Sequence, residues 1–321
     1  MPAAFVTGGS GFVGGALIER LRREGWDVRA LARSDNAAER VRGLGAEPVM
    51  GDLDDLRIED CELAFHAAAK VEDFGDPADF ARVNVQGTRN VVAACRDGGV
   101  RRLVHVGTEA ALMAGQPLVN VDESAPLRPD SPSLYPSSKA RAEEIVRAAN
   151  GDGLETVVVR PRFVWGRGDT SLLPAIVAMV MSGRFRWVGG GRHLTATTHI
   201  DNTVEGLWLA GTRGPAGGVW FVTDGEPVEF REFLTAMVGT QGVEIPDKSV
   251  PPGVANTAAR SAEWVWRRLK RPGSPPLTRF AVWVSSQECT IDISRAERDL
   301  GYRPVRTREE GLREMRESPP G

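Results

Sequence analysis

A glycine-rich turn, Thr7–Gly14, constrains the fold of this chain more than any other stretch, because it joins an apolar run to a segment with helical spacing of apolar residues. Gly9, Gly11 and Gly14 form G-x-G-x-x-G, and Gly8 in place of Gly9 gives the wider G-x-x-G-x-x-G. In both spacings the first glycine permits a tight turn, the second lets backbone amides approach a pyrophosphate, and the third lets helix and strand pack closely. The turn therefore predicts a dinucleotide site at a helix start, and the alternative is a tight turn without a ligand.

Strand-like and helix-like patterns alternate along the chain, and this alternation predicts parallel strands in a doubly wound sheet. The predicted strands are 3–6, 26–31, 47–50, 63–69, 102–106, 156–160 and 219–222, and the predicted helices include 37–44, 84–95, 172–181 and 203–210. The fold class is therefore α/β, a Rossmann doubly wound parallel sheet with a smaller C-terminal substrate-binding lobe. Residues 1–165, with about 196–225, are predicted to form the dinucleotide-binding domain, and about 166–195 and 226–321 to form the lobe.

The end of the second strand decides which nicotinamide cofactor the turn accepts. An acidic residue there accepts the ribose hydroxyls of NAD and repels a 2'-phosphate. This chain has Ala32 at that position, followed by Arg33, whose guanidinium can pair with a phosphate and stack on adenine. The sequence therefore favours NADP(H), and NAD is the alternative if Arg33 is only a solvated surface arginine.

Residues after other predicted strands extend the same site. Asp52 follows the third strand, where its carboxylate can bond an adenine amino group or, alternatively, cap a helix. The small residues Ala67, Ala68 and Ala69 follow the core of the fourth strand and let the backbone lie against a cofactor. His66 is interpreted as a structural histidine, because no other metal-type residues cluster with it, and no metal site is predicted.

Three residues carry the predicted chemistry. Tyr135 and Lys139 are four apart, so a helix places them on one face, where the ammonium favours the phenolate and lowers the tyrosine pKa. Thr108 lies at the carboxyl end of the fifth strand, where sheets of this kind bind ligands. Y-x-x-x-K alone is a weak signal, but after a glycine fingerprint and a strand-end hydroxyl it predicts a catalytic set.

These residues resemble the extended short-chain dehydrogenase/reductase family, the NAD-dependent epimerase/dehydratase superfamily, over almost the whole chain. The segments that carry the resemblance are Thr7–Gly14, Asp52–Leu53, His66–Ala69, Asn84 with Gly87 and Thr88, Thr108, Tyr135 with Lys139, Arg160–Pro161 with Trp165–Gly166, and His199 with Asp201. Within the family, Arg160–Asp169 is similar to the 3β-hydroxysteroid dehydrogenase and 3-oxoacid reductase branch. The resemblance implies as cofactor-binding residues Gly8, Gly11, Phe12, Val13, Arg33, Asp52, Leu53, Ala67, Ala68, Ala69, Tyr135, Lys139 and Pro161.

The resemblance also implies hydride transfer with Thr108, Tyr135 and Lys139 as catalytic residues. In the reductive direction, Tyr135 donates a proton to the carbonyl oxygen, Lys139 positions the nicotinamide ribose, and Thr108 hydrogen-bonds the oxygen. The role of Glu109 stays open between facing the substrate and being a solvated loop acid. The expected substrate is an apolar ketone or secondary alcohol, steroid-like or 3-oxoacyl. Candidate residues of its pocket are Met113, Phe163, Trp165 and the Trp264–Trp266 region.

Two other functions stay open at this stage. A nucleotide-sugar epimerase or dehydratase with tightly bound NAD has the same fold, but Ala32 and Arg33 argue against NAD. The dehydratase acid pair is also incomplete here, because Thr108 is followed by Glu109 and Ala110. A non-catalytic NADP-sensing protein is the other alternative, and the intact catalytic set argues against it.

Composition limits the partners. A net charge of −3 gives no sign of a nucleic-acid-binding surface. The three cysteines show neither disulfide nor metal-ligand spacing, which indicates a reducing compartment. Without a recognisable leader or an apolar run of ~20 residues, a cytoplasmic protein is expected. The family resemblance implies a homodimer through the helices near 84–95 and 135–150.

The segment Arg260–Arg271 combines cations with Trp264 and Trp266. A basic amphipathic helix with tryptophans can lie on a membrane surface. The preferred interpretation is a lid helix whose apolar face covers the substrate, because the chain is net acidic and the apolar run is short.

Overall fold

The computed structural model describes residues 1–170 and 172–317, so the last residues of the predicted lobe, 318–321, lie outside the described residues. In chain order the strands are β1 (Ala3–Thr7), β2 (Asp27–Ala32), β3 (Glu47–Met50), β4 (Leu63–His66), β5 (Arg102–Val106), β6 (Leu118–Val121), β7 (Glu155–Pro161), β8 (Val164–Trp165), β9 (Trp187–Val188), β10 (Leu194–Thr195), β11 (Thr198–His199), β12 (Val219–Val222), β13 (Val228–Glu229), β14 (Ser249–Val250) and β15 (Cys289–Ile291). The helices are α1 (Phe12–Arg23), α2 (Asp35–Gly43), α3 (Pro77–Phe80), α4 (Gly87–Asp97), α5 (Leu134–Ala148), α6 (Leu172–Met181), α7 (Ile200–Thr212), α8 (Phe230–Gly239), α9 (Pro252–Arg268), α10 (Arg279–Ser286), α11 (Ser294–Leu300) and α12 (Arg308–Glu317). A π-helical turn at Ala81–Gln86 and 3₁₀ turns at Glu109–Leu112 and Gly189–Gly191 complete the helical structure of the described residues.

The central sheet has the strand order β12-β7-β5-β4-β1-β2-β3, and each neighbouring pair of strands is parallel. Its strands coincide with those predicted from the sequence, so the predicted α/β doubly wound sheet is confirmed. The chain leaves β3 and returns to the middle of the sheet, where β4 pairs with the other side of β1. In doubly wound sheets this reversal of direction opens a crevice at the carboxyl ends of the strands, and ligands bind there.

Helices cover both faces of the sheet, because its strands are apolar on both faces. On one face α1 packs against α7, and Leu17, Ile18 and Leu207 are fully buried with the strand residues between them. On the other face α4 packs against α5, and Val91 and Cys95 are buried over the sheet. The two cores cover the two faces of the sheet. The residues that follow each strand lie at its carboxyl edge, which these cores do not cover.

Beside the central sheet lie a four-stranded sheet, β13-β10-β15-β6, and two parallel pairs, β11-β8 and β14-β9. An aromatic core joins α6 and α8, with Trp165 and Phe233 edge to face at 5.1 Å and Phe163 at 5.8 Å from Phe233. Such edge-to-face pairs stabilise beyond the area that they bury. No helix in the described part of the chain is long and apolar enough to cross a membrane.

Several elements differ by one to three residues from their predicted bounds, and hydrogen bonds explain two of these differences. The predicted strand 63–69 ends at His66, because Ala68 N–H donates to the Thr7 side-chain oxygen (3.2 Å) instead of to a neighbouring strand. The predicted helix at 84–95 starts earlier, as the π-helical turn that leads into α4. Asn84 in that turn accepts from Lys70 N–H (2.7 Å) and donates to the Ser138 hydroxyl (2.9 Å), so the wider turn serves to point this amide inward.

Candidate active site at the carboxyl edge of the sheet

The glycine turn closes through backbone contacts that leave no room for side chains. Gly8 has φ +72°, and a Cβ there would lie 2.7 Å from the Ala68 nitrogen. Gly11 N–H donates to the Gly8 carbonyl (2.9 Å), and a Cβ on Gly14 would lie 2.2 Å from the same oxygen. Gly9 instead packs against the Ile18 side chain. The wider spacing, which starts at Gly8, therefore describes the turn, because Gly8 adopts the left-handed conformation.

The turn presents a helix start with free amides. α1 begins at Phe12, and in the described chain no side chain caps its N-terminus and no acidic residue lies in its first turn. The first N–H groups of a helix have no partner within the helix, and they carry the positive end of the helix dipole. Phe12 and Val13 therefore offer donors and a favourable field for a pyrophosphate, whereas the Gly11 N–H is taken up by the Gly8 carbonyl.

The residues predicted to bind the adenosine end of the cofactor follow β2 and β3. Arg33 is exposed, and among the described residues its guanidinium has no hydrogen bond or ion pair, so it is free to meet a phosphate. Asp52 is exposed too: its Oδ1 accepts from Leu53 N–H at 2.7 Å, and its Oδ2 lies 4.0 Å from Arg82 Nη1 in a long, exposed ion pair. The alternative of a helix cap fails, because the chain after Asp52 forms a turn rather than a helix.

Two histidines beneath the site are structural. His66 Nδ1 lies 2.8 Å from the Thr7 hydroxyl and its Nε2 lies 3.0 Å from the Thr88 hydroxyl. Burial, and then the charge of Lys139, lower the pKa of His66 to about 3, and the same causes lower the pKa of His105. Both rings are therefore neutral at physiological pH. Across the described residues, no group of three His, Cys, Asp or Glu side chains is arranged to hold a metal ion.

The catalytic candidates come together at the start of α5. Tyr135 lies in the first turn of α5 and Lys139 one turn later, and the Thr108 hydroxyl lies near the Tyr135 phenol. Lys139 is buried, and its ammonium donates to the Val106 carbonyl at the end of β5 (2.7 Å). Burial lowers the pKa of Lys139 to about 8, against the opposing charge of Glu143.

The expected lowering of the tyrosine pKa is not found. Burial, and then the negative charge of Glu109, raise the pKa of Tyr135 above its usual value, and the nearby Thr108 hydroxyl opposes them only in part. The ammonium of Lys139 points to the Val106 carbonyl and not to the phenol. Tyr135 therefore keeps its proton throughout the physiological pH range.

Glu109 has a role that the sequence did not reveal. It is 3% exposed, and its carboxylate accepts from Arg162 Nη1 (2.6 Å) and from the Thr108 hydroxyl (2.8 Å). Arg162 is 2% exposed and also donates to the Thr195 hydroxyl (3.3 Å). The expectation of a solvated loop acid is wrong, because burial leaves Glu109 no solvent. Both carboxylate oxygens are engaged, so Glu109 is the acidic partner of a buried ion pair next to Thr108.

The predicted pocket residues lie in different places. Met113 and Trp165 are fully buried in core clusters, whereas Trp264 is 66% exposed and lines a surface pocket with Arg260 and Arg279. Phe280 of α10, which the sequence did not single out, lies with its ring 5.6 Å from that of Tyr135. The sequence gave no reason to place Phe280 at the site, because an aromatic residue on a short helix has the same pattern as a core residue.

Comparisons with known proteins agree with this geometry. The model of the 3-beta hydroxysteroid dehydrogenase/isomerase family matches residues 5–251. The 4-hydroxy-2-methyl-3-oxo-4-farnesyl-3,4-dihydroquinoline-1-oxide ketoreductase of Stigmatella aurantiaca is 46% identical over 98% of this chain and 96% of its own. The 2-alkyl-3-oxoalkanoate reductase of Stenotrophomonas maltophilia is 36% identical over 98% of both chains.

Solved structures show the same fold. That of gox2253 superposes with a TM-score of 0.78 and 27% identity, covering 99% of this chain and 98% of the other. A short-chain dehydrogenase/reductase superfamily protein from Agrobacterium tumefaciens with bound NAD superposes with a TM-score of 0.73 at 23% identity, covering 98% of this chain and 96% of the other.

Proposed function

Because the chain belongs to the 3-beta hydroxysteroid dehydrogenase/isomerase family, and is thus an NAD(P)-dependent oxidoreductase of the short-chain dehydrogenase/reductase type, we propose that it uses NADPH to reduce the ketone of an apolar substrate. The observation that carries this proposal is the meeting of Thr108, Tyr135 and Lys139 at the carboxyl edge of the sheet, where the glycine turn also ends. Dinucleotide and substrate meet at this edge in doubly wound sheets.

The residues present fit a nicotinamide dinucleotide. The close approach of Gly8 to Ala68 and of Gly14 to Gly8 makes a cradle that any Cβ would fill. The amides of Phe12 and Val13 would hold the pyrophosphate, and Gly11 would let it approach the backbone. Leu53, Ala67, Ala69 and Pro161 would line the path of the cofactor along the strand ends. Arg33 would pair with the 2'-phosphate and Asp52 would accept from adenine. When bound, the nicotinamide supplies the hydride.

The residues around Tyr135 support the reductive direction. A ketone that gains a hydride becomes an alkoxide and needs a proton, and a tyrosine with a raised pKa still holds one. Thr108 lies near the phenol, and its hydroxyl, which donates to Glu109 in this structure, would turn to hold the reacting oxygen. Lys139, one helical turn away and buried, would anchor the ribose hydroxyls.

The substrate class rests on the relatives and on the walls of the site. Both reductases named above are named for ketones that carry hydrocarbon groups, a farnesyl chain in one and alkyl chains in the other. Phe280 beside Tyr135 gives this chain an apolar wall at the reacting atoms. We therefore propose a ketone flanked by a prenyl or alkyl chain, either on a bicyclic ring or in a 3-oxoacyl compound. Loss of NADPH absorbance over a panel of such ketones tests this class.

The alternatives are less well supported. A dehydratase needs a free acid beside the catalytic threonine, and Glu109 is engaged by Arg162 and Thr108. A non-catalytic sensor needs no alignment of Tyr135 with Thr108.

Removing the Tyr135 hydroxyl tests the proposal directly. Tyr135→Phe should lower kcat for ketone reduction by about 10²- to 10⁴-fold, the usual contribution of a positioned acid, and should leave the Kd for NADPH unchanged. Tyr302→Phe is the matched control, because the Tyr302 hydroxyl is buried and donates to the Thr223 carbonyl (2.8 Å) on another part of the fold. Turnover by Tyr135→Phe at the rate of Tyr302→Phe would contradict the mechanism.

A further inference from the structure

The outer face of α9 and of the turn after it carries large apolar side chains that are exposed and not packed against the rest of the described chain. Val254, Trp264 and Leu269 are 60%, 66% and 59% exposed. The inner face of α9 is made of Ala255 and Ala259, which are buried with residues of α10. Trp264, which a lid would turn toward the substrate, therefore lies on the side away from the core.

The same face is strongly cationic. Five exposed basic residues surround the apolar ones: Arg260, Arg267, Arg268, Lys270 and Arg271. Glu263 is the one acidic residue in the sequence from 252 to 271. It is 3% exposed, and Arg279 holds its carboxylate at 2.8 Å. The outer face thus presents positive charge without exposed acid, on a chain whose net charge is −3.

We propose that this face, the α9 surface, docks on the headgroups of an anionic lipid bilayer. Tryptophan prefers the boundary between headgroups and acyl chains, where its ring is buried and its N–H stays hydrated. Arginines around it meet lipid phosphates, and a local cationic patch binds an anionic surface although the whole protein is acidic. Charge complementarity selects this occupant, because five exposed cations with no exposed acid surround the indole and match a surface of lipid phosphates.

The α9 surface is connected to the active site through α10. Val282 of α10 packs on Ala255 and Ala259, and Phe280 of the same helix lies 5.6 Å from Tyr135. A bilayer that holds α9 therefore lies one helix away from the catalytic tyrosine. This last step rests on the proposed function: a ketone with a prenyl or alkyl chain partitions into lipid, and docking would let it reach Tyr135 without crossing water.

Co-sedimentation of the full-length protein with vesicles tests the proposal without cofactor or substrate. Vesicles of phosphatidylcholine alone are compared with vesicles that contain about 30% phosphatidylglycerol, at low and high salt. We expect pelleting with the anionic vesicles at low salt, at least about tenfold above the neutral ones, and loss of pelleting at high salt. Arg260→Glu with Arg268→Glu, and separately Trp264→Ser with Leu269→Ser, should each weaken binding by about tenfold.

Matched controls carry the same changes elsewhere. Met181→Ser alters a side chain that is 73% exposed on α6, and Arg57→Glu with Arg313→Glu reverses two exposed cations away from α9. These controls should pellet like the parent protein, and all variants should reduce a short water-soluble ketone at the parent rate. Equal pelleting with neutral vesicles, or no effect of the α9 changes, would overturn the proposal. The proposal would also be overturned if the parent protein did not bind vesicles but formed a dimer that the α9 changes dissociate. The α9 surface would then bind a second copy of the chain.

Discussion

Glu109→Gln tests whether the buried ion pair governs the catalytic residues. In the parent protein, the Thr108 hydroxyl donates its proton to Glu109, and Arg162 donates to the other carboxylate oxygen. In the variant, Arg162 still needs an acceptor, so the amide oxygen faces Arg162 and the amide nitrogen faces Thr108. Thr108 then accepts from the amide and its own proton is free to turn toward Tyr135.

The stability cost follows from the burial of both partners. Removing one partner of a buried ion pair destabilises a protein by about 3–5 kcal/mol, because the remaining charge is left without compensation. Arg162 and Glu109 are both nearly inaccessible, so no solvent screens that charge. With about 2.1 cal/mol/K of unfolding entropy per residue in a 321-residue chain, the loss corresponds to a Tm lower by about 4 to 8 °C. Differential scanning calorimetry measures this shift.

The catalytic effect has a definite sign. The Glu109 carboxylate raises the pKa of Tyr135, so its neutralisation lowers that pKa, and a proton turned from Thr108 toward the phenol oxygen lowers it further. In the proposed mechanism ketone reduction needs the protonated tyrosine, so its rate should fall as pH rises through this pKa. The alkaline limb of the kcat profile should therefore lie at lower pH in Glu109→Gln than in the parent protein.

A core variant separates this effect from plain destabilisation. Leu207 is fully buried under the central sheet, and Leu207→Ala costs about 2–5 kcal/mol without touching the site. It should lower Tm by a similar amount and leave the pH profile unchanged when assayed well below Tm. Superimposable alkaline limbs for the parent and Glu109→Gln would refute the role assigned to the ion pair.

Three further predictions concern the cofactor site and Lys139. Arg33→Ala should raise the Kd for NADPH by at least about tenfold and leave the Kd for NADH unchanged, because a charge-assisted contact contributes about 1.5–3 kcal/mol. Calorimetric titration measures both constants. An equal loss of affinity for both cofactors would show that Arg33 does not contact the 2'-phosphate. Gly14→Ala places a Cβ 2.2 Å from the Gly8 oxygen and should abolish cofactor binding, whereas Gly43→Ala, with open space around it, should bind normally; cofactor fluorescence titration decides. Lys139 has a pKa lowered to about 8, so its burial as an ammonium costs stability below that pH, and the cost is relieved as pH rises toward the unfolded value of 10.5. Lys139→Met should therefore remove a rise in unfolding free energy between pH 8 and 10.5 that the parent protein shows in urea titrations, and a parent curve that is flat over this range would contradict the lowered pKa.

The central sheet could be predicted from the sequence because the patterns that indicate its strands and helices are local. Each strand is a short apolar run, each is followed by a helical pattern, and the handedness of parallel connections restricts the order. The glycine turn was predictable for the same reason, although two spacings fitted it. Only the left-handed conformation of Gly8 distinguishes the two spacings. Gly8 adopts it in close contact with Ala68, which follows a strand that is distant in the sequence.

The features that the sequence did not reveal depend on contacts between distant segments. Glu109 and Arg162 are 53 residues apart, and neither belongs to a local pattern that requires the other. The direction of the Tyr135 pKa shift depends on this pair and on burial, so a nearby lysine in the sequence was a misleading guide. The orientation of Trp264 was undetermined as well, because α9 carries apolar residues on more than one side and packing alone selects the buried one.

Arg162 connects the catalytic hydroxyl to the second sheet. Its backbone N–H donates to the Thr198 hydroxyl (3.0 Å), which fixes the chain just past β7. Its side chain then spans from Glu109, next to Thr108, to Thr195 of β10, which is part of the four-stranded sheet. A buried ion pair adds little net stability but is intolerant of altered geometry, since separated charges would be left in an apolar interior. The position of the Thr108 hydroxyl against Tyr135 therefore depends on how the second sheet packs, and residues far from the cofactor can alter catalysis by moving β10.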